Sequence, residues 1–201
     1  RGAAGGEIAE VDRQGLVAQA LGINGGEEVP ALDQHVGRDQ PLPARRGCQD
    51  GAVVADLGLR REISAVIRIE KPDRVLTQSA ERRYDRIYAS HPDHLATGEA
   101  ALCAVYPDAR NEFAFPELLS ERGLVPHTVP ETWIMAGPSP KEFIDTTDFI
   151  DKKIEALLCH ASQHSDPEGL PQRMRDWGKM IAQAGGLPEG RYAEAFLVVD
   201  T

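Results

Sequence analysis

Aromatic side chains make up only 5% of this 201-residue chain, and none stands before Tyr84. Lysine is also missing until Lys71. No stretch approaches the roughly 20 consecutive apolar residues that a membrane-spanning helix needs, so no bilayer partner is expected. The opening Arg1-Gly2-Ala3-Ala4-Gly5-Gly6 lacks the apolar centre of a secretion signal, which makes the cytoplasm the expected compartment. The three cysteines, Cys48, Cys103 and Cys159, are too scattered for a disulfide framework or a cysteine zinc cluster. Cys103 and Cys159 fall inside apolar helical patterns and read as small core residues. A formal net charge of -10 with no basic stripe argues against nucleic acid as a partner.

What is present divides unevenly. Residues 1–55 hold ten of the nineteen glycines and little apolar periodicity. Val11, Leu16, Val17, Ala20 and Leu21 suit one short helix, and Gly51 to Ala55 suits a short strand. The remainder of this segment buries too little to repay about 1–2 kcal/mol of backbone entropy per ordered residue. It reads as atypical and loosely structured, distinct from a domain spanning residues 56–201.

From Asp56 onward the pattern is regular. Asp56 can cap a helix whose apolar face is Leu59, Ile63, Val66 and Ile67, with Arg60, Arg61 and Arg68 turned to solvent. Pro72 stops it. Arg74 to Thr77 predicts a short buried strand, and a polar loop from Gln78 to Ser90 leads into a second helix. Strands are expected at Glu131–Ala136 and Glu142–Asp145. A helix capped by Thr147 should carry Ile150, Ile154, Leu157 and Leu158, and another should run from Asp166 to Ala184 until Gly185-Gly186. Tyr192 to Val199 suits either helix or strand. Helix, strand, loop, helix is the grammar of an α/β open sheet, whose sites gather beyond the carboxyl ends of the strands.

The second helix opens on His91-Pro92-Asp93-His94. Pro92 fits the first helical position, which puts His91 at the N-cap and His94 about one turn further on. Leu95, Leu102 and Val105 follow at helical spacing with small residues between them, as in a helix packed closely into a core. Both imidazoles then sit at the positive end of the helix dipole, a place that favours an anion or an oxygen that becomes one. By spacing alone the pair also suits a simple cap and an exposed neighbour.

The run Gln78-Ser79 … Arg86-Ile87-Tyr88-Ala89-Ser90-His91-Pro92-Asp93-His94 resembles the carboxyl-side metal motif of the LmbE-like, PIG-L-type zinc N-deacetylases. Tyr106-Pro107-Asp108-Ala109-Arg110-Asn111, Phe113 to Glu117, Trp133-Ile134-Met135, and Lys153 with His160-Ala161-Ser162-Gln163 extend the resemblance over residues 56–201. It implies a Rossmann-like open sheet with helices on both faces, here missing its first strand unit. It also implies a zinc-dependent hydrolase that removes acyl groups from N-acetylglucosamine-type amides, with a small amino-sugar substrate. Carried over by position, His94 is the zinc ligand and His91 the general acid or oxyanion donor. Asp93 orients an imidazole, and His160 lines the pocket.

The family's amino-terminal His-Pro-(Asp/Glu)-Asp motif, which supplies the remaining zinc ligands and the base, has no counterpart among these 201 residues, where His91-Pro92 is the single His-Pro. A catalytic zinc takes about three protein ligands plus water. His35, between Asp33 and Asp39, reads as a solvated loop histidine. The expectation is therefore an impaired hydrolase with weak zinc binding. The rival readings are a sugar-binding remnant without metal and a site completed by another polypeptide. Arg82, Arg83 and Arg86 suit a solvated loop or a grip on a polar substrate. Glu194 suits the surface or a pocket wall, and Tyr88 an oxyanion donor.

Overall fold

Asp56 caps the first helix as its side chain suggests, with Oδ1 accepting the Leu59 N–H at 2.7 Å. In the computed structural model, which describes residues 49–87, 90–160 and 164–201, that helix, α1, spans Leu57–Glu70. It ends through Lys71, which adopts the left-handed conformation and donates its N–H to the Ile67 carbonyl. Pro72 therefore follows a cap already in place. Strand β1 spans Arg74–Gln78 and pairs in parallel with β2, Glu131–Met135, with Val75 opposite Thr132 and Thr77 opposite Ile134. Between them lie helix α2, Pro92–Cys103, a wide turn Ala104–Asp108 containing the cis Tyr106-Pro107 bond, and the short α3, Pro116–Ser120.

The apolar face of α1 meets β1 and α2 in one cluster that includes Leu59, Ile63, Val66, Ile67, Val75, Ala100, Ala104 and Val129. Burying a side chain such as Leu59 or Ile63 is worth about 1.5–3 kcal/mol. Alanine at positions 100 and 104 keeps α2 close. Closest of all is Gly98, where an added Cβ would stand 2.4 Å from the Gln78 carbonyl oxygen. The helix carrying the two histidines thus rests directly on the backbone at the carboxyl end of β1.

Arg68 corrects the sequence reading. It is 1% exposed, not solvated. Ser64 and Ala65, one turn earlier, are buried and short, so the long side chain crosses over them. Its Nε donates to the Ala109 carbonyl, and its Nη2 donates to those of Asp108, Asn111 and Ala114, all within 3.1 Å. Burial lowers its pKa, with Asp108 and Glu117 opposing. Arg60 grips the Asp108 carboxylate with two bonds of 2.8 Å.

The chain forms two compact units, the first reaching Pro138 and including Val198–Thr201, the second Ser139–Leu197. In the second, β3, Glu142–Asp145, pairs antiparallel with β4, Ala193–Asp200. Strand order in the sheet is β1-β2-β4-β3, a mixed arrangement rather than an all-parallel one. Helices α4, Ile150–Leu158, and α5, Leu170–Ala184, complete this unit. Thr147 does not cap α4, which starts without a side-chain cap; it opens a short 3-10 turn, Thr147–Phe149, and gives both its backbone N–H and its hydroxyl to the Asp145 carboxylate. The Thr147 hydroxyl in turn accepts the Tyr192 N–H at 3.0 Å. Asp166 stands ahead of α5 and accepts the Gly169 N–H, so the helix starts four residues later than its pattern suggested.

Three smaller expectations also change. Asp50-Gly51 is a turn and no strand covers Gly51–Ala55. Cys159 is exposed and Cys103 only half-buried. The expected Val11–Leu21 helix and the positions of His35, Cys48, Tyr88, Ser162 and Gln163 lie outside the described residues.

Candidate active site

The site is built on the amino end of α2. His91 is its N-cap, and the ring Nδ1 accepts the Asp93 N–H at 3.3 Å. With Nδ1 an acceptor, the hydrogen-bond pattern assigns the proton of the neutral ring to Nε2. Nε2 lies 3.5 Å from Asp50 Oδ1, and the His91 side chain stays 39% exposed. The half-exposed ring therefore stands at the positive end of a helix, where a developing negative charge is favoured, with its Nε2 beside the Asp50 carboxylate.

Asp93 points the other way. Its Oδ2 accepts the Gly51 N–H at 2.8 Å and its Oδ1 the Val53 N–H at 3.0 Å. Its nearest approach to the His91 ring is 3.9 Å, too long for a hydrogen bond. The expected role of orienting an imidazole with the carboxylate is therefore replaced by clamping the 50–53 segment beneath the helix. That clamp is what carries Asp50 to His91.

Asp50 is the residue the sequence reading missed. It precedes the change in composition at residue 56, and its one local signal was the Asp-Gly turn dipeptide. No spacing rule links it to a histidine forty-one positions later.

The His94 ring stands 5.5 Å from that of His91, centroid to centroid, tilted by 55°. Partial burial and then the neighbouring His91 hold its pKa below the usual imidazole value, against the smaller opposing pull of Asp93 and Asp50. The unprotonated ring is the form that binds a metal. Among the described residues, however, the carboxylate and imidazole groups that converge within 4.8 Å are Asp50, His91 and Asp93, without His94. Tetrahedral zinc with bonds of about 2.0–2.2 Å needs its ligand atoms roughly 3.4 Å apart. Both Asp93 oxygens are already engaged by backbone N–H groups. The described residues do not fit a zinc ion held by His94.

His160 follows α4 in the second unit, its N–H donating to the Leu157 carbonyl. Glu194, also in that unit, accepts from Lys153 Nζ at 2.6 Å. Before the histidine helix, the Arg83 guanidinium pairs with Asp85 through contacts of 3.3 and 2.7 Å.

No family model matches the chain. Diacetylchitobiose deacetylase of Thermococcus kodakarensis is 31% identical over 142 residues, which is 70% of this chain and 50% of that protein. The chain thus spans about half the length of the curated relative it matches. Among solved structures, N,N'-diacetylchitobiose deacetylase from Pyrococcus horikoshii, complexed with its inhibitor MPG, superposes with a TM-score of 0.66 at 24% identity. That match covers 77% of this chain and 55% of the other. A conserved protein of Thermus thermophilus gives 0.55 at 24% identity, covering 75% and 62%. Over this part of its length, the chain is a homologue within the LmbE-like, diacetylchitobiose deacetylase family.

Proposed function

We propose that this chain carries the acid and oxyanion-donor half of a cytoplasmic, zinc-dependent N-deacetylase acting on N-acetylated amino sugars, and that its own hydrolytic turnover is impaired. The observation that carries the reading is the half-exposed His91 ring at the helix amino end, its Nδ1 accepting the Asp93 N–H and its Nε2 left as the donor beside Asp50. Such a group donates a hydrogen bond to an amide carbonyl oxygen as it gains negative charge. In its protonated state it passes a proton to the departing amine, a role worth about 10²–10⁴-fold in rate. The Asp93 clamp keeps the Asp50 carboxylate 3.5 Å from His91 Nε2. The names of the Thermococcus and Pyrococcus proteins support an acetylated disaccharide as the substrate type.

The impairment reading is supported by the single His-Pro among these 201 residues and by the absence of His94 from the cluster of candidate ligands among the described residues. Were a metal bound as the resemblance implies, His94 would help to hold it and it would supply Lewis-acid chemistry at the amide. The described residues assemble no such centre, so no step is derived through one. The same facts favour a second reading, a sugar-binding site that retains the pocket without the metal.

Purified chain, supplied with zinc and then dialysed, should hold well under one equivalent by metal analysis. It should also release acetate from diacetylchitobiose at the blank rate, while calorimetry shows saturable sugar binding that His91→Ala weakens. Stoichiometric zinc lost in His94→Ala, together with acetate release, would overturn the impairment. Absence of sugar binding by the wild-type chain would overturn the amino-sugar reading itself.

A further inference from the structure

We propose that Tyr84 is a stacking platform that makes this site prefer an N-acetylated disaccharide over the monosaccharide. The inference rests on the amino-sugar reading above and extends it to a specificity-determining residue. Tyr84 is 86% exposed, more than any other large apolar or aromatic side chain among the described residues. Its backbone is nonetheless fixed. The preceding Arg83 N–H donates to Ser90 Oγ at 2.7 Å, and Ser90, 4% exposed, is the residue before His91. The Ser90 N–H closes back on the Ile87 carbonyl at 2.9 Å. The Arg83 side chain pairs with Asp85, so the residues on either side of Tyr84 are tied together.

One residue step on either side of that short hydrogen bond separates Tyr84 from His91. With about 3.8 Å per step, and the serine side chain and the hydrogen bond between, their α-carbons lie within roughly 14 Å. That separation suits a second pyranose ring when the first presents its acetamido group to His91. A pyranose offers an apolar C–H face to a ring and hydroxyls around its edge. An anchored, exposed tyrosine matches this with an amphipathic body and little ordering cost. Ile87, 57% exposed in the same loop, continues the apolar surface. Phe113 and Tyr106, also exposed, belong to the segment around the wide turn after α2 rather than to its amino end.

The test is calorimetric binding of N-acetylglucosamine and of diacetylchitobiose to the wild-type chain, Tyr84→Ala, Tyr84→Phe and His91→Ala. An aromatic contact of about 0.5–1.5 kcal/mol corresponds to roughly 2–10-fold in affinity. The wild type should bind the disaccharide tighter by about that factor. Tyr84→Ala should abolish the difference while leaving the monosaccharide unchanged, and Tyr84→Phe should keep it. Because the side chain is exposed, the thermal midpoint of Tyr84→Ala should match the wild type. Undiminished preference in Tyr84→Ala, equal weakening toward both sugars, or loss in Tyr84→Phe would overturn the inference while leaving the amino-sugar reading intact. Failure of the wild type to bind either sugar would instead defeat that reading, and this inference with it.

Discussion

Asp93 shows how far a carboxylate's partners can differ from those its neighbours in sequence suggest. Between two imidazoles it looked like a group that steers a ring. In the fold it accepts two backbone N–H groups from a segment about forty residues upstream. Asp93→Ala orphans the buried Val53 N–H, at about 1–3 kcal/mol, and releases that of Gly51 to solvent. Denaturant unfolding should show a loss of at least that size, with faster hydrogen exchange at Gly51 and Val53. Unchanged exchange at those two amides would remove the clamp from the account. His91 was legible at this scale because proline after a cap is a local signal. Asp50 was not, since its partner is set by tertiary path and no local rule points to it. Arg68 failed for a related reason. Side-chain charge predicted solvent, while carbonyl oxygens of a distant loop supplied the compensation.

Elements were read more reliably than their ends. Helix α1, strands β1 and β2, and the histidine helix follow from apolar spacing and short-range caps. The start of α5 slipped because Asp166 binds a loop N–H one turn before the helix. Strand β3 was expected, but its antiparallel direction depends on β4, which periodicity left open between helix and strand. Gly98 offers a sharp test of how α2 is seated. In an exposed helix, glycine to alanine gains about 1 kcal/mol. Here the new methyl meets the backbone oxygen of Gln78 at 2.4 Å, and backbone yields poorly. Overpacking of about 1–3 kcal/mol outweighs the propensity gain. Gly98→Ala should lower the unfolding midpoint, and its sugar affinity should fall as His91 is displaced. A more stable Gly98→Ala would mean that α2 sits further from β1.

At the scale of the whole molecule, acidic residues outnumber basic ones by 32 to 22, and this gives stability a pH dependence. Among the described residues, four carboxylates are held below their usual range: Asp85 by Arg83, Glu131 by the Trp133 N–H and then Arg74, Asp145 by Thr147, and Asp166 by the Gly169 N–H and then Arg173. The unfolded chain takes up protons at these groups more readily than the folded one, so stability rises with pH where they titrate. Their contribution is complete above the ordinary carboxylate values of about 4–4.5 and is lost as pH falls through the lower folded values. Unfolding midpoints should therefore be flat from neutrality to about pH 5 with respect to these groups, then fall, and Glu131→Gln should flatten part of that decline. A midpoint that rises on acidification would contradict the sign. The family and its α/β sheet were legible because several motifs recur in order. The metal centre was not, because a coordination set is a meeting of distant segments. The guanidinium cage around residues 108–114 has its own corollary. It holds oxygens common to every amino acid, so replacing the Glu112 or Phe113 side chain removes none of its bonds.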